Sequence, residues 1–269
     1  MRAFFLSAGI AAAAAAAISA PATAGMPVEQ RMRCPIGGRN FTYVTTSSYS
    51  TWGARPDGKP FGSWSFPLAL PECPDNGLIV YEPFDEAAVA RLRPLVASTE
   101  YQALRRSGDT SYYRAYWLMR RMEAPVATQL WMLVQASWQA DGNPALRRRY
   151  HEELIARGPE LGEPRDDVGL AMRARVANAL RELDRFEEAK AIIDSTPLEI
   201  ARDSAEVRSV EDWRGHYRRL GILVARRDAS IEPIDMIPRR SAAPLRRRRA
   251  RRGPARALPR MGGERPARA

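Results

Sequence analysis

The chain has 269 residues, enough for one or two domains, but only two histidines and two cysteines, little material for a metal centre or a nucleophile–base pair. Its net charge of +11 is not a property of the whole molecule. Residues 239–269 carry twelve arginines against one acid, Glu264, while residues 1–238 balance thirty basic with thirty acidic side chains, so a generally polyanion-binding body is excluded.

Residues 1–24 read as a secretory signal peptide. Arg2 supplies the positive start, Ala3 to Ala20 the apolar stretch, and Ala22-Thr23-Ala24 a small-x-small cleavage site before Gly25. The stretch is mostly alanine and short for a bilayer; the rival reading is an uncleaved N-terminal anchor. Cleavage after Ala24 implies a periplasmic or secreted protein.

Residues 26–83 lack a helical period and are rich in Pro, Gly, Ser, Thr and aromatics, which predicts a small β/loop module. Tyr43-Val44-Thr45-Thr46 and Leu78-Ile79-Val80-Tyr81 suit short strands, and Pro56-Asp57-Gly58 suits a turn between them. Tyr43, Tyr49, Trp52, Phe61, Trp64 and Phe66 crowd this region. They are either the satellite core of a small module or a peptide- or glycan-contacting surface.

Helical periodicity begins at Phe84 and defines a domain over 84–230. Asp85 caps a helix expected to run to about Arg106. Asp109, Thr110 or Ser111 caps the next, and Pro125 and Pro144 open the third and fourth, the latter ending near Gly158-Pro159. Further helices are expected at 166–183, 186–195 and 207–226, with Asp166-Asp167 at a helix start, where acids favour the positive end of the dipole. Trp131 and Trp138, seven apart, share one helix face and read as core. The short connections predict an antiparallel array. Residues 231–269 are expected to form a disordered, arginine-rich tail, with no apolar period from Arg239 onward.

Two motifs carry a resemblance. Residues 34–37 read Cys-Pro-Ile-Gly, residues 73–77 read Cys-Pro-Asp-Asn-Gly, and Ser98-Thr99-Glu100-Tyr101 and Gln135-Ala136-Ser137-Trp138 follow. This resembles a bacterial family of unknown function that begins with paired Cys-Pro-x-Cys knuckles, a zinc-ribbon-like site, and continues into tetratricopeptide-like helices. The implied fold is mainly α: a degenerate zinc ribbon followed by a tetratricopeptide-like array. Gly37 and Asn76 stand where each knuckle's second cysteine belongs, so a four-ligand zinc site is dismantled. The resemblance implies that Cys34 and Cys73 face each other and form a disulfide in an oxidising compartment; residual zinc and two buried thiols are the alternatives. Locally, residues 176–193 resemble the turn region of a tetratricopeptide repeat. There Ala177 and Ala189 would sit at the helix contact, with Leu180, Phe186 and Ile193 between them and Asp184 in a glycine's place; an ordinary helical hairpin would look the same.

No catalytic spacing is present. His151-Glu152 starts like a metalloprotease helix, but residue 155 is isoleucine, and the pair reads as exposed and polar. No phosphate loop, nucleophile elbow or dinucleotide fingerprint occurs, and no catalytic, cofactor or metal residue is assigned. The expected function is a non-catalytic exported scaffold of the cell envelope, holding a protein partner on its helical domain. The alternatives are a hydrolase with a carboxylate site in a helical groove, or an anionic-surface binder acting on membrane or envelope polymer through residues 239–269. That tail has no aromatic residue for base stacking, so sequence-specific nucleic acid is not an expected partner.

Overall fold

The computed structural model describes residues 25–203 and 210–234. The expected signal peptide, the helix start at 207–209 and the arginine tail lie outside them. The protein is mainly α-helical with a small N-terminal β/loop module, as the sequence implies.

Strands β1 (Met26–Arg33) and β2 (Asn40–Ser48) pair antiparallel, with Gln30 opposite Tyr43 and the Tyr43 hydroxyl donating to Gln30 Oε1 at 2.6 Å. A second hairpin joins β3 (Thr51–Ala54) to β4 (Pro60–Gly62) through the turn at Pro56-Asp57. The strand expected at Leu78–Tyr81 is reduced to a single bridge between Glu72 and Ile79. Pro71 and Pro74 flank its partner segment and supply no N–H to extend a ladder.

The two Cys-Pro motifs adopt one backbone pattern. Cys34 N–H donates to Arg39 O at 2.8 Å and Gly38 N–H to Cys34 O at 3.1 Å; Cys73 N–H donates to Leu78 O and Gly77 N–H to Cys73 O, both at 2.9 Å. Gly38 and Gly77 sit at φ 74° and 77°, a left-handed conformation that a Cβ would strain. The knuckles meet through the Cys34–Cys73 disulfide, Cα–Cα 5.6 Å. Both cysteines, with Ile36 and Leu78, are buried against Leu92, Val96, Tyr101 and Leu118 of the helical part.

The helices are α1 (Glu86–Ala97), α2 (Thr99–Arg106), α3 (Ser111–Arg121), α4 (Val126–Gln139), α5 (Pro144–Arg157), α6 (Asp167–Glu182), α7 (Phe186–Asp194) and α8 (Val210–Ala225). Asp85, Thr110, Asn143 and Asp166 each accept a backbone N–H as N-caps of α1, α3, α5 and α6. The single helix expected over 85–106 is two. Ser98 takes an extended conformation (ψ 151°) and its hydroxyl accepts from Tyr101 N–H at 3.2 Å, so it caps a new helix instead of continuing the old one.

Helices α3 to α8 pack each on the next. The main core holds Leu130, Leu133, Tyr150, Leu154, Met172, Leu180 and Phe186. Trp138 belongs to it, but Trp131 is only half-buried, edge-on to Trp138 at 5.3 Å with Arg175 over its ring. In the α6–α7 hairpin Ala177 and Ala189 are fully buried, and Asp184 takes the left-handed conformation at φ 61°. Ser230 O, at the end of the helical domain, accepts from Arg181 at 2.9 Å, and the first residues assigned above to the tail still pack on the body: Pro233 is buried. Among the described residues no helix is long and apolar enough to cross a membrane.

Candidate functional site

Helix α5 places Arg147, Tyr150, His151 and Leu154 on its inner face, the i, i+3, i+4, i+7 spacing. Half of that face is polar, and it meets the charged turn of the second hairpin. Arg147 Nη2 lies 2.7 Å from Glu182 Oε2 on α6 and 3.2 Å from Asp57 Oδ2; its Nη1 donates to Asp141 and to Ser137 O, both at 2.7 Å. Arg55 donates to Asp57 at 2.6 Å and Asp141 at 2.8 Å, and Lys59 to Asp141 at 2.6 Å. The side chains of Asp57, Arg147 and Glu182 are each 4–5% exposed.

Burial alone would raise the Asp57 carboxyl, but Arg55 and Arg147 hold it below the usual carboxylate range. At Glu182 burial wins, with Asp57 adding repulsion, and the carboxyl is raised despite its bond to Arg147. Burial, reinforced by Arg147, pushes the His151 imidazole down to about 3. His151 is thus a neutral, buried ring 3.8 Å from Glu182, not half of an exposed pair; Glu152 alone is exposed. The physical reason is that α5 is packed on both sides, by α4 and α6. Asp57 and Glu182 are two close, buried acids, the arrangement a carboxylate hydrolase would use. Neither lines the groove described next, and each is held by arginine, so the cluster ties the β3–β4 turn to α5 and α6.

A groove of about 830 Å³ lies between the end of α5, the 3-10 turn Gly158–Leu161, α6 and α7. Met172, Val176 and Leu180 form its buried floor, Ile155, Leu161 and Ile192 its half-buried walls, and exposed Val168 stands at its mouth. Gly158 permits the shape: a Cβ there would stand 2.9 Å from a Val176 methyl. The rim carries both signs, and its acids are already engaged. Glu163 pairs with Arg173 at 3.2 Å, Glu188 with Arg185 at 2.6 Å, and Asp166 caps α6. The Glu188 carboxyl is lowered by its bond from Arg185, the opposite of what a general acid needs.

The sulfurs of Cys34 and Cys73 are bonded to each other, so neither offers a thiolate to a metal. The exposed Asp75 carboxylate stands within 4.8 Å of both sulfurs. Asn76, in place of a knuckle cysteine, donates to Ile36 O at 2.7 Å and links the two knuckles. His216 is far from His151 in the chain and stacks edge-on against Trp213.

The fold and groove define a disulfide-closed β/loop module built onto a helical array that carries an open apolar groove. Comparison with protein-family models, with curated proteins and with solved structures returns no match.

Proposed function

We propose that this is a non-catalytic scaffold of the cell envelope that holds an apolar, amphipathic segment of a partner protein in the groove between α5, α6 and α7. The observation that carries the reading is the groove itself: about 830 Å³, floored by Met172, Val176 and Leu180 and rimmed by both charge signs. Its size suits specific binding, its apolar walls supply the affinity, and its mixed rim supplies orientation without a reactive group. The tetratricopeptide-like pattern of residues 176–193 supports the same reading, since such hairpins present concave helical surfaces. Export, on which the envelope assignment rests, is supported by residues 1–24.

The test uses peptides selected from a random display library on the purified chain. They are expected to compete with one another and to bind at least about ten-fold more weakly to Ile192→Asp, where a charge is set in the wall. Peptide binding unaffected by Ile192→Asp and Val168→Asp, with turnover in a hydrolase screen, would replace this reading with the enzymatic one.

A second contact is supported by composition, because the whole net charge sits in residues 239–269. An anionic membrane or envelope polymer is its chemical complement, with strongly salt-dependent binding. Deleting the tail should abolish low-salt binding to anionic vesicles and leave peptide binding intact.

A further inference from the structure

The N-terminal module carries a surface that the groove does not use. None of Tyr43, Tyr49, Trp52, Phe61, Trp64 and Phe66 is buried, and Tyr49 and Trp52 are 48% and 50% exposed; the satellite core that so many aromatics suggest is not formed by them. Their exposure is built in. Trp52 is the extra residue of a β-bulge, between the pairs Thr51–Gly62 and Gly53–Phe61, and a bulge re-aims the side chain it carries. Phe66 supports Tyr49 edge-on at 5.1 Å. It can do so because residue 62 is glycine, whose Cβ would stand 2.8 Å from the Phe66 ring. Ser50 and Ser63 tie the two strands, with Ser50 N–H donating to Ser63 Oγ at 3.0 Å and Ser63 N–H to Ser50 O at 2.9 Å.

We propose that this hairpin surface, centred on Trp52 and Tyr49, binds an uncharged polysaccharide. The charge pattern commits the ligand class. Residues 40–54 and 60–71 contain no charged side chain, in a chain of which 27% is charged. The charges of the intervening turn are directed inward: Arg55 and Asp57 are buried, and Lys59 is bonded to Asp141 and Trp138 O. What faces solvent beside the rings is hydroxyl, from Ser47, Ser48, Ser50 and Thr51. An aromatic face is the negative part of a quadrupole and attracts the C–H face of a pyranose; hydroxyls give and accept hydrogen bonds with sugar hydroxyls at no electrostatic cost. The strands that carry the rings offer a charged polymer no counter-charge; the module's exposed Glu29, Arg31 and Arg33 stand on β1. A second copy of the chain would find too little area: two half-exposed rings offer roughly 200 Å², against about 800 Å² per partner in a stable dimer.

The experiment is binding of the purified full chain to an array of immobilised neutral glucan and N-acetylglucosamine oligosaccharides beside sulfated and uronic ones. Neutral glycans should bind, indifferent to added salt, with affinity reduced about ten-fold or more in Trp52→Ala and Tyr49→Ala and retained in Trp52→Phe. Both positions are exposed, so thermal melts should match the unaltered chain. The proposal is overturned if no neutral glycan binds, if only acidic glycans bind, or if Trp52→Ala and Tyr49→Ala bind as the parent does. Sedimentation adds a further arm: self-association that disappears in Trp52→Ala would assign the surface to a second copy instead.

Discussion

Asp57 and Glu182, one in the turn of the second hairpin and the other at the end of α6, share a single guanidinium nitrogen, Nη2 of Arg147, at 3.2 and 2.7 Å. That nitrogen joins the β/loop module to the helical array through groups almost completely withdrawn from water.

Removing it should therefore cost more than removing a surface ion pair. In Arg147→Met, Glu182 is left buried without its closest cation while Asp57 keeps Arg55, and removing one partner of a buried ion pair typically costs about 3–5 kcal/mol. Denaturant unfolding should show a matching drop in stability at unchanged slope. Arg147→Lys should recover little, since one ammonium cannot reach Asp57, Asp141 and Glu182 together as the planar fork does.

The disulfide offers a second measurement. Cys34 and Cys73 are 39 residues apart, and closing a loop of that length stabilises by roughly 4 kcal/mol in the chain-entropy model. Cys34→Ala/Cys73→Ala should unfold with the same midpoint as the parent treated with reductant, both well below the untreated parent. Equal midpoints with and without reductant would show that the bond does not constrain the unfolded chain.

His151 sets a pH dependence whose sign can be worked out. Its folded pKa of about 3 lies below the ordinary 6.5, so between these values the unfolded chain binds more protons. Stability then falls as pH drops below about 6.5, by up to about 1.4 kcal/mol per pH unit from this group. Glu182, raised by burial, acts in the opposite direction: its contribution favours the folded state in acid and is lost as pH rises through its folded pKa. Asp57, held low by Arg55 and Arg147, loses its contribution only below the ordinary carboxylate range. In His151→Gln the acid-side slope between pH 6.5 and 4.5 should flatten or reverse, measured by denaturant midpoints across that window. An unchanged slope would assign it to another group.

Helix ends supply a fourth prediction. Helices α2, α3, α6 and α8 all stop with a left-handed residue and a bond from the next N–H back to the fifth residue before it: Asp109 to Leu104, Ala124 to Met119, Arg185 to Leu180 and Asp228 to Leu223. Gly108 occupies the left-handed position in the first; Glu123, Asp184 and Arg227 occupy it in the others. Glycine relieves the Cβ strain there, so Glu123→Gly and Asp184→Gly should be neutral or stabilising by up to about 1 kcal/mol. Asp184→Val should destabilise by about 1–2 kcal/mol. Thermal melts read both directions.

Much of the architecture was legible in the residues because it is local. Asp85, Thr110 and Asp166 mark helix starts through bonds to backbone N–H groups a few residues away, Pro144 marks one by its fixed φ at the first helical position, and the expected Cys34–Cys73 pairing is present as a disulfide. Helix ends at Glu123 and Arg227 carried no glycine to announce them. What the tertiary structure alone decided is where polar and aromatic groups face. His151 and Arg147 look like surface residues by type, and Trp52 and Tyr49 look like core. Each goes the other way, because burial of a charge depends on partners that arrive from distant segments, and exposure of a ring depends on whether anything is left to cover it. Asp57 meets Arg147 across 90 residues of chain, and no period or spacing in the sequence encodes that encounter. The groove is of the same kind: its wall at Ile155, floor at Met172 and wall at Ile192 are ordinary helix positions until α5, α6 and α7 are set side by side.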